Sequence, residues 1–96
     1  MFEWGATKAA ANLLKHGVSF DEAASVFGDV NGLDGPDTRH SLDEARALRI
    51  GRSVEGRVIV VAYTVRRRED AEIVRIISAR RVNRKERKAY AQTDAD

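Results

Sequence analysis

The side chains that can move a proton or hold an anion near neutral pH fall at a few places in this chain. His16 follows Lys15 at the end of a helical pattern. Glu44 and Arg46 stand two residues apart. Arg75 and Arg80 bracket the segment Arg75-Ile76-Ile77-Ser78-Ala79-Arg80-Arg81, and Tyr90 lies one helical turn beyond Glu86. Cofactor motifs are missing from the pattern. His16 and His40 are the only histidines and form no HxxxH or HExxH pair, there is no cysteine, and no glycine-rich phosphate loop or nucleophile elbow is present. Acid/base groups and arginines without a metal or cofactor suit RNA cleavage, because RNA brings its own nucleophile, the 2′-hydroxyl. The protein must then remove that proton, neutralise charge on the phosphorane and protonate the leaving oxygen.

Each candidate has a structural reading beside the chemical one. His16 offers an imidazole, a side-chain type suited to proton transfer, yet a cation at a helix C-terminus is also favoured by the helix dipole. Glu44 and Arg46 read as a carboxylate with its guanidinium neighbour or as a surface ion pair. Glu86 has a capping job of its own, and Tyr90 packs or contacts a base. In a regular strand Arg75, Ile77, Ala79 and Arg81 share one face, with Ile76, Ser78 and Arg80 on the other. Arg75 and Arg80 therefore converge only where a bulge or the strand end breaks the alternation. Beside Arg80, the short Ser78 leaves room for a substrate.

Charge distribution points the same way. The net +2 hides −5 over residues 1–45, +3 over 46–65, +6 over 66–88 and −2 in the tail. An acidic half beside a basic half implies a face for a polyanion. Thirteen of the seventeen basic residues are arginine, whose fork suits phosphate. A solvated arginine-rich surface is the plain alternative.

At 96 residues the expectation is one domain over residues 1–96, with 93–96 a frayed tail. No apolar run nears the ~18 residues of a membrane span, the start lacks a signal-peptide pattern, and cysteines are absent, so a cytoplasmic protein is expected.

These residues need elements to place them. Residues 1–4 read as an edge strand, and residues 6–16 as a helix ended by Gly17. Ser19-Phe20-Asp21-Glu22 forms a capping box that opens a second helix running to Gly28, with Ala23, Val26 and Phe27 facing inward. Residues 29–41, rich in Gly, Asp and Asn and holding Pro36, read as mostly loop. A helical turn is compatible with residues 42–47, and the next residues favour a strand leading through Ile50 to Gly51. Strands over 57–65 and 72–81 pair as an antiparallel hairpin. Asn83-Arg84-Lys85-Glu86 is a second capping box for a short helix through Tyr90. The sum is an α+β fold, two N-terminal helices packed on a curved antiparallel sheet of three later strands, with a short C-terminal helix.

Phe2-Glu3-Trp4, Lys8, Asn12, Lys15-His16-Gly17-Val18, Phe20, Asp37, His40, Glu44-x-Arg46, Ile50-Gly51, Arg75-Ile76-Ile77-Ser78-Ala79-Arg80, Glu86-Arg87 and Tyr90 together resemble the BrnT family. That family comprises toxins of type II toxin–antitoxin systems. The chain departs from the family pattern at Gly5, where Asp is common, and at Val82, where a small residue is usual. Neither change removes a candidate side chain.

The resemblance implies a RelE-like fold, a metal- and cofactor-independent endoribonuclease that inhibits translation, and a BrnA-type ribbon-helix-helix antitoxin. The implied partners are RNA and that antitoxin, in a two-plus-two complex that reaches operator DNA through the antitoxin. Carried onto this chain, the matching residues are Lys15, His16, Glu44, Arg46, Arg75, Arg80 and Tyr90. In this reading Arg46 and Arg80 stabilise the phosphorane, and Glu44 or His16 serves as base or acid. Lys15, Arg75 and Tyr90 guide RNA. A non-catalytic nucleic-acid-binding or antitoxin-docking module is the alternative, and turnover separates the two.

Overall fold

Gly17 ends the first helix by taking φ 71°, the left-handed region that glycine enters at little cost, and its amide closes onto the Leu13 carbonyl at 2.9 Å. The structure, a computed structural model, describes residues 1–40 and 46–94. In chain order it runs β1 (Phe2–Glu3), α1 (Ala6–His16), α2 (Phe20–Ser25), β2 (Leu33–Pro36), β3 (Ala47–Arg52), β4 (Val58–Arg68), β5 (Ala71–Arg81) and α3 (Arg84–Asp94). Short 3₁₀ turns lie at Val26–Gly28 and Thr38–His40. The result is a small α+β domain of three α-helices and a five-stranded mixed sheet ordered β1-β5-β4-β3-β2.

Three features differ from the sequence reading. Residues read as loop contain β2, which pairs antiparallel with β3 from Leu33 opposite Ile50 to Pro36 opposite Ala47. Pro36 is tolerated there because β2 is an edge strand. The sheet is mixed, since β1 runs parallel to β5 through Phe2–Val74 and Glu3–Arg75. Helix α3 continues to Asp94, and Thr93, expected in a frayed tail, donates its hydroxyl to the Tyr90 carbonyl at 2.7 Å. The helical turn expected over 42–47 falls largely outside the described residues.

One sheet face carries the core. Val18, Phe20, Ala23 and Val26 pack on Ile59, Val61, Ile76 and Ala79, all at most 2 % exposed, with Trp4, Ala9, Ala24 and Phe27 at the margin. Fully burying a side chain of this size stabilises by roughly 1.5–3 kcal/mol, so this cluster dominates the cohesion. Gly51 lets β3 pass close beneath the Val26 turn.

Two polar groups tie the helices to the sheet. Strand β5 is paired by β1 only at Val74 and Arg75, and beyond that its edge amides need other partners. Asn12 of α1 supplies them: the Ala79 amide donates to Asn12 Oδ1 at 3.1 Å, and Asn12 Nδ2 donates to the Ala79 and Val18 carbonyls at 2.9 Å each. The other group is Glu22. Ser19 accepts from the Glu22 amide at 3.0 Å as the capping motif requires, but the Glu22 carboxylate does not reach back. It is buried, takes the Ser53 hydroxyl at 2.6 Å and Arg57 Nε at 3.0 Å, and forms an ion pair with Arg57. Hydrogen bonds from Arg57, opposed by burial, hold its carboxyl below the ordinary glutamate value.

Candidate functional site

A bulge decides which side chains of β5 share a face. Ala62 opposes Ser78 but the next residue, Tyr63, opposes Ile76, so Ile77 has no opposite number. Arg75, Ser78 and Arg80 consequently stand opposite Thr64, Ala62 and Val60, on one side of the sheet. Without the bulge Arg75 and Arg80 would face opposite ways. Leu48 also opposes Ala62, so Arg46, two residues before it, meets the same face.

Arg46 and Arg80 line one hollow of about 210 Å³, floored by Leu48, Ala62 and Ser78 and walled by Asp37, Arg39 and Glu86. A second hollow, of about 310 Å³, adjoins it: Lys15, His16, Lys8 and Asn12 of α1 face Ile77, with Arg46 and Ser78 common to both. The Asn12 bonds to β5 hold α1 here, and Lys15 and His16 follow one turn later. Ser78 and Ala62 are small, which leaves the floor open beneath the two guanidinium groups.

The two arginines are held differently. Arg46 Nε is buried and has no hydrogen-bond partner among the described residues. An unmet buried donor is costly. Arg80 is engaged. Its Nη1 and Nη2 donate to the two Glu86 oxygens at 2.8 Å each, and Nη1 also reaches the Arg81 carbonyl at 3.2 Å. Glu86 completes the capping box, accepting the Asn83 amide at 2.9 Å while its own amide donates to Asn83 Oδ1 at 2.8 Å. Hydrogen bonds from Arg80, opposed by burial, keep the Glu86 carboxyl below its ordinary value, and the same bonds raise Arg80. Glu86 is therefore ionised at neutral pH, and it sets where the Arg80 fork points.

Lys15, His16, Arg46 and Arg80 are brought together, while Arg75 and Tyr90 line neither hollow. Arg75 shares the sheet face but donates to Glu3 Oε2 at 3.1 Å, and Arg66 pairs with the same carboxylate. Tyr90 is buried on the other flank of α3, where its hydroxyl donates to Asp29 Oδ2 at 2.6 Å and Arg52 lies over its ring at 5.6 Å. Its role here is to pin α3 to the 3₁₀ turn and β3. Glu44 lies outside the described residues. Among those described, no three His, Asp or Glu side chains stand close enough to hold a metal ion.

Asp37 and Asn12 were not singled out for the site by their chemistry. Asp37 is buried in the wall of the hollow, and its placement depends on β2, which the sequence conceals. Asn12 left a signal that could have been used: a polar residue on the same helix stripe as Ala9 and Leu13.

The fold is thus a small α+β domain in which Arg46 and Arg80 line one hollow on a face of the sheet. The chain matches the family model of the ribonuclease toxin BrnT of type II toxin–antitoxin systems over residues 4–86, and it belongs to that family. Membership implies RNA as target and an antitoxin as partner. The match includes Lys15, His16, Arg46 and Arg80 and ends at Glu86, in the first turn of α3. No curated protein matches the chain. Among the described residues no helix is long and apolar enough to cross a membrane.

Proposed function

We propose that this protein is a toxin that cuts RNA without a metal ion, inhibits translation in the cytoplasm and is silenced by a BrnA-type ribbon-helix-helix antitoxin in a two-plus-two complex. The chain acts as one RelE-like domain over residues 1–96. The observation that carries the reading is that Arg46 and Arg80 line the same hollow, beside Lys15 and His16.

In this mechanism the RNA 2′-oxygen loses its proton to His16 or Glu44 and attacks the adjacent phosphorus. Arg46 donates to the phosphorane oxygens, with Arg80 held in line by Glu86. The bond from phosphorus to the 5′-oxygen breaks, and that oxygen takes a proton from the general acid. The products are a 2′,3′-cyclic phosphate and a 5′-hydroxyl. Lys15 attracts the neighbouring phosphates. The bidentate hold of Glu86 on Arg80 favours a second reading, a docking module without turnover, and the two differ in whether new RNA ends form.

Induced expression with and without the antitoxin gene tests the proposal, reading growth and total RNA together. Expression alone should stop growth and yield fragments ending in cyclic phosphate, and co-expression should prevent both. Growth arrest with intact RNA would exclude the nuclease reading.

A further inference from the structure

Between the β3–β4 turn and α3 lies a hollow of about 390 Å³ whose lining includes four arginines, Arg52, Arg57, Arg81 and Arg87, together with Tyr90. We infer that this hollow is a phosphate-binding exosite that grips the backbone of single-stranded RNA away from the bond that is cut. Many of the arginines meet carboxylates directly: Arg49 with Asp34, Arg66 and Arg75 with Glu3, Arg67 with Glu72, Arg80 with Glu86 and, within this lining, Arg57 with Glu22. Here no carboxylate appears in the lining. Glu22 sits behind Arg57, is bonded by it and by Ser53 and also feels the charge of Arg81, and Asp29 accepts the Tyr90 hydroxyl at 2.6 Å and the Arg52 amide at 2.7 Å. Among the described residues Arg81 and Arg87 form no ion pair, and both are exposed. Like charges gathered in a concave surface raise its potential and draw in an anion, and guanidinium forks match phosphate oxygens.

The topology joins this hollow to the Arg46–Arg80 site. Successive residues of β5 point to opposite sides, Arg80 into the first hollow and Arg81 into the second. On α3 the same division separates Glu86 from Arg87, and exposed Arg84 opens the helix between them. A chain with a phosphate at every step can lie across the start of α3 and fill both. The identity of the strand as RNA rests on the proposed function, whereas the anion site rests on Arg81 and Arg87.

The test is binding of a fluorescent 2′-O-methyl RNA of about 12 nucleotides, which the proposed chemistry cannot cut. Arg81→Gln with Arg87→Gln should weaken binding roughly tenfold at low salt and lower the slope of log K against log salt by about 1.4, at roughly 0.7 for each phosphate no longer neutralised. Arg67→Gln with Arg68→Gln, at the β4–β5 tip, should change neither. In the wild-type protein, titration with the strand should shift the Arg81 and Arg87 Nε–H resonances, a readout that needs no variant to fold. Unchanged affinity, slope and resonances would overturn the inference. So would a double variant that keeps RNA binding but loses binding of polyglutamate, because the hollow would then serve a protein. Binding that depends on Arg81 and Arg87 stands even if no RNA is ever cut. Cleavage indifferent to them removes the exosite and leaves the nuclease.

Discussion

Replacing Asn12 with alanine should both loosen the fold and disable the site. The side chain makes three hydrogen bonds, two with the Ala79 backbone and one with the Val18 carbonyl, in a position that is 7 % exposed. Each missing bond costs about 1 kcal/mol net, and a backbone group left buried without a partner costs more, so a total near 3 kcal/mol follows. For a domain of this size 1 kcal/mol moves Tm by roughly 4–8 °C, giving a drop of about 12–24 °C. Urea unfolding followed by the fluorescence of Trp4, which packs edge-on against Phe20, measures it. Asn12→Asp sharpens the test. A carboxylate cannot donate to the two carbonyls, so its folded pKa rises above the unfolded value. The penalty relative to wild type is then smallest below the unfolded pKa and grows as pH rises through the folded one. A loss under about 1 kcal/mol for the alanine variant, or a pH-independent loss for Asn12→Asp, would refute the view that Asn12 stands in for a missing strand.

Three other outcomes follow from single observations. A methyl group at Gly51 would lie 3.0 Å from Val26 Cβ and 3.2 Å from its carbonyl oxygen, so Gly51→Ala should cost about 2 kcal/mol in urea unfolding. The Glu22 carboxyl is held low by Arg57 against burial, so its stabilisation is present above the unfolded value and lost as pH falls through the folded one. Glu22→Gln should therefore flatten the acid limb of the stability profile and cost about 2 kcal/mol at neutral pH, less than for a fully buried pair because Arg57 is partly exposed. Burial, with the hydrogen bond to Asp34, pushes the Tyr63 phenol up to about 12, and Tyr90 is raised as well. An absorbance titration should consequently place the ionisation midpoints of both tyrosines above the ordinary phenol value of about 10.

Much of the fold was legible because local chemistry decided it. Gly17 and the Ala9–Leu13 spacing mark α1, Asn83 and Glu86 mark the start of α3, and the apolar run before Tyr63 marks β4. What stayed hidden depends on partners distant in sequence. Asp34, Gly35 and Pro36 have turn composition, and only pairing with β3 and the Tyr63–Asp34 hydrogen bond of 2.7 Å make them a strand. Glu22 fits a capping box locally, yet Arg57, 35 residues away, takes its carboxylate. The Ile77 bulge leaves no mark in composition, although the need for one was readable from Arg75 and Arg80. Residue types marked Arg46, Arg75 and Arg80 as candidates and left their roles open. They could not show that Arg75 is taken by Glu3, or that Tyr90 is buried against Asp29.

In the proposed mechanism Arg46 meets the phosphate under attack. Single-turnover cleavage of an unstructured RNA in EDTA, comparing wild type with an Arg46→Ala variant that still melts cooperatively, tests it most directly. The wild type should yield cyclic-phosphate ends, and the variant should cut about 10²–10³-fold more slowly, the usual loss when one charge-stabilising donor is removed. Equal rates, or cleavage abolished by EDTA, would contradict that mechanism.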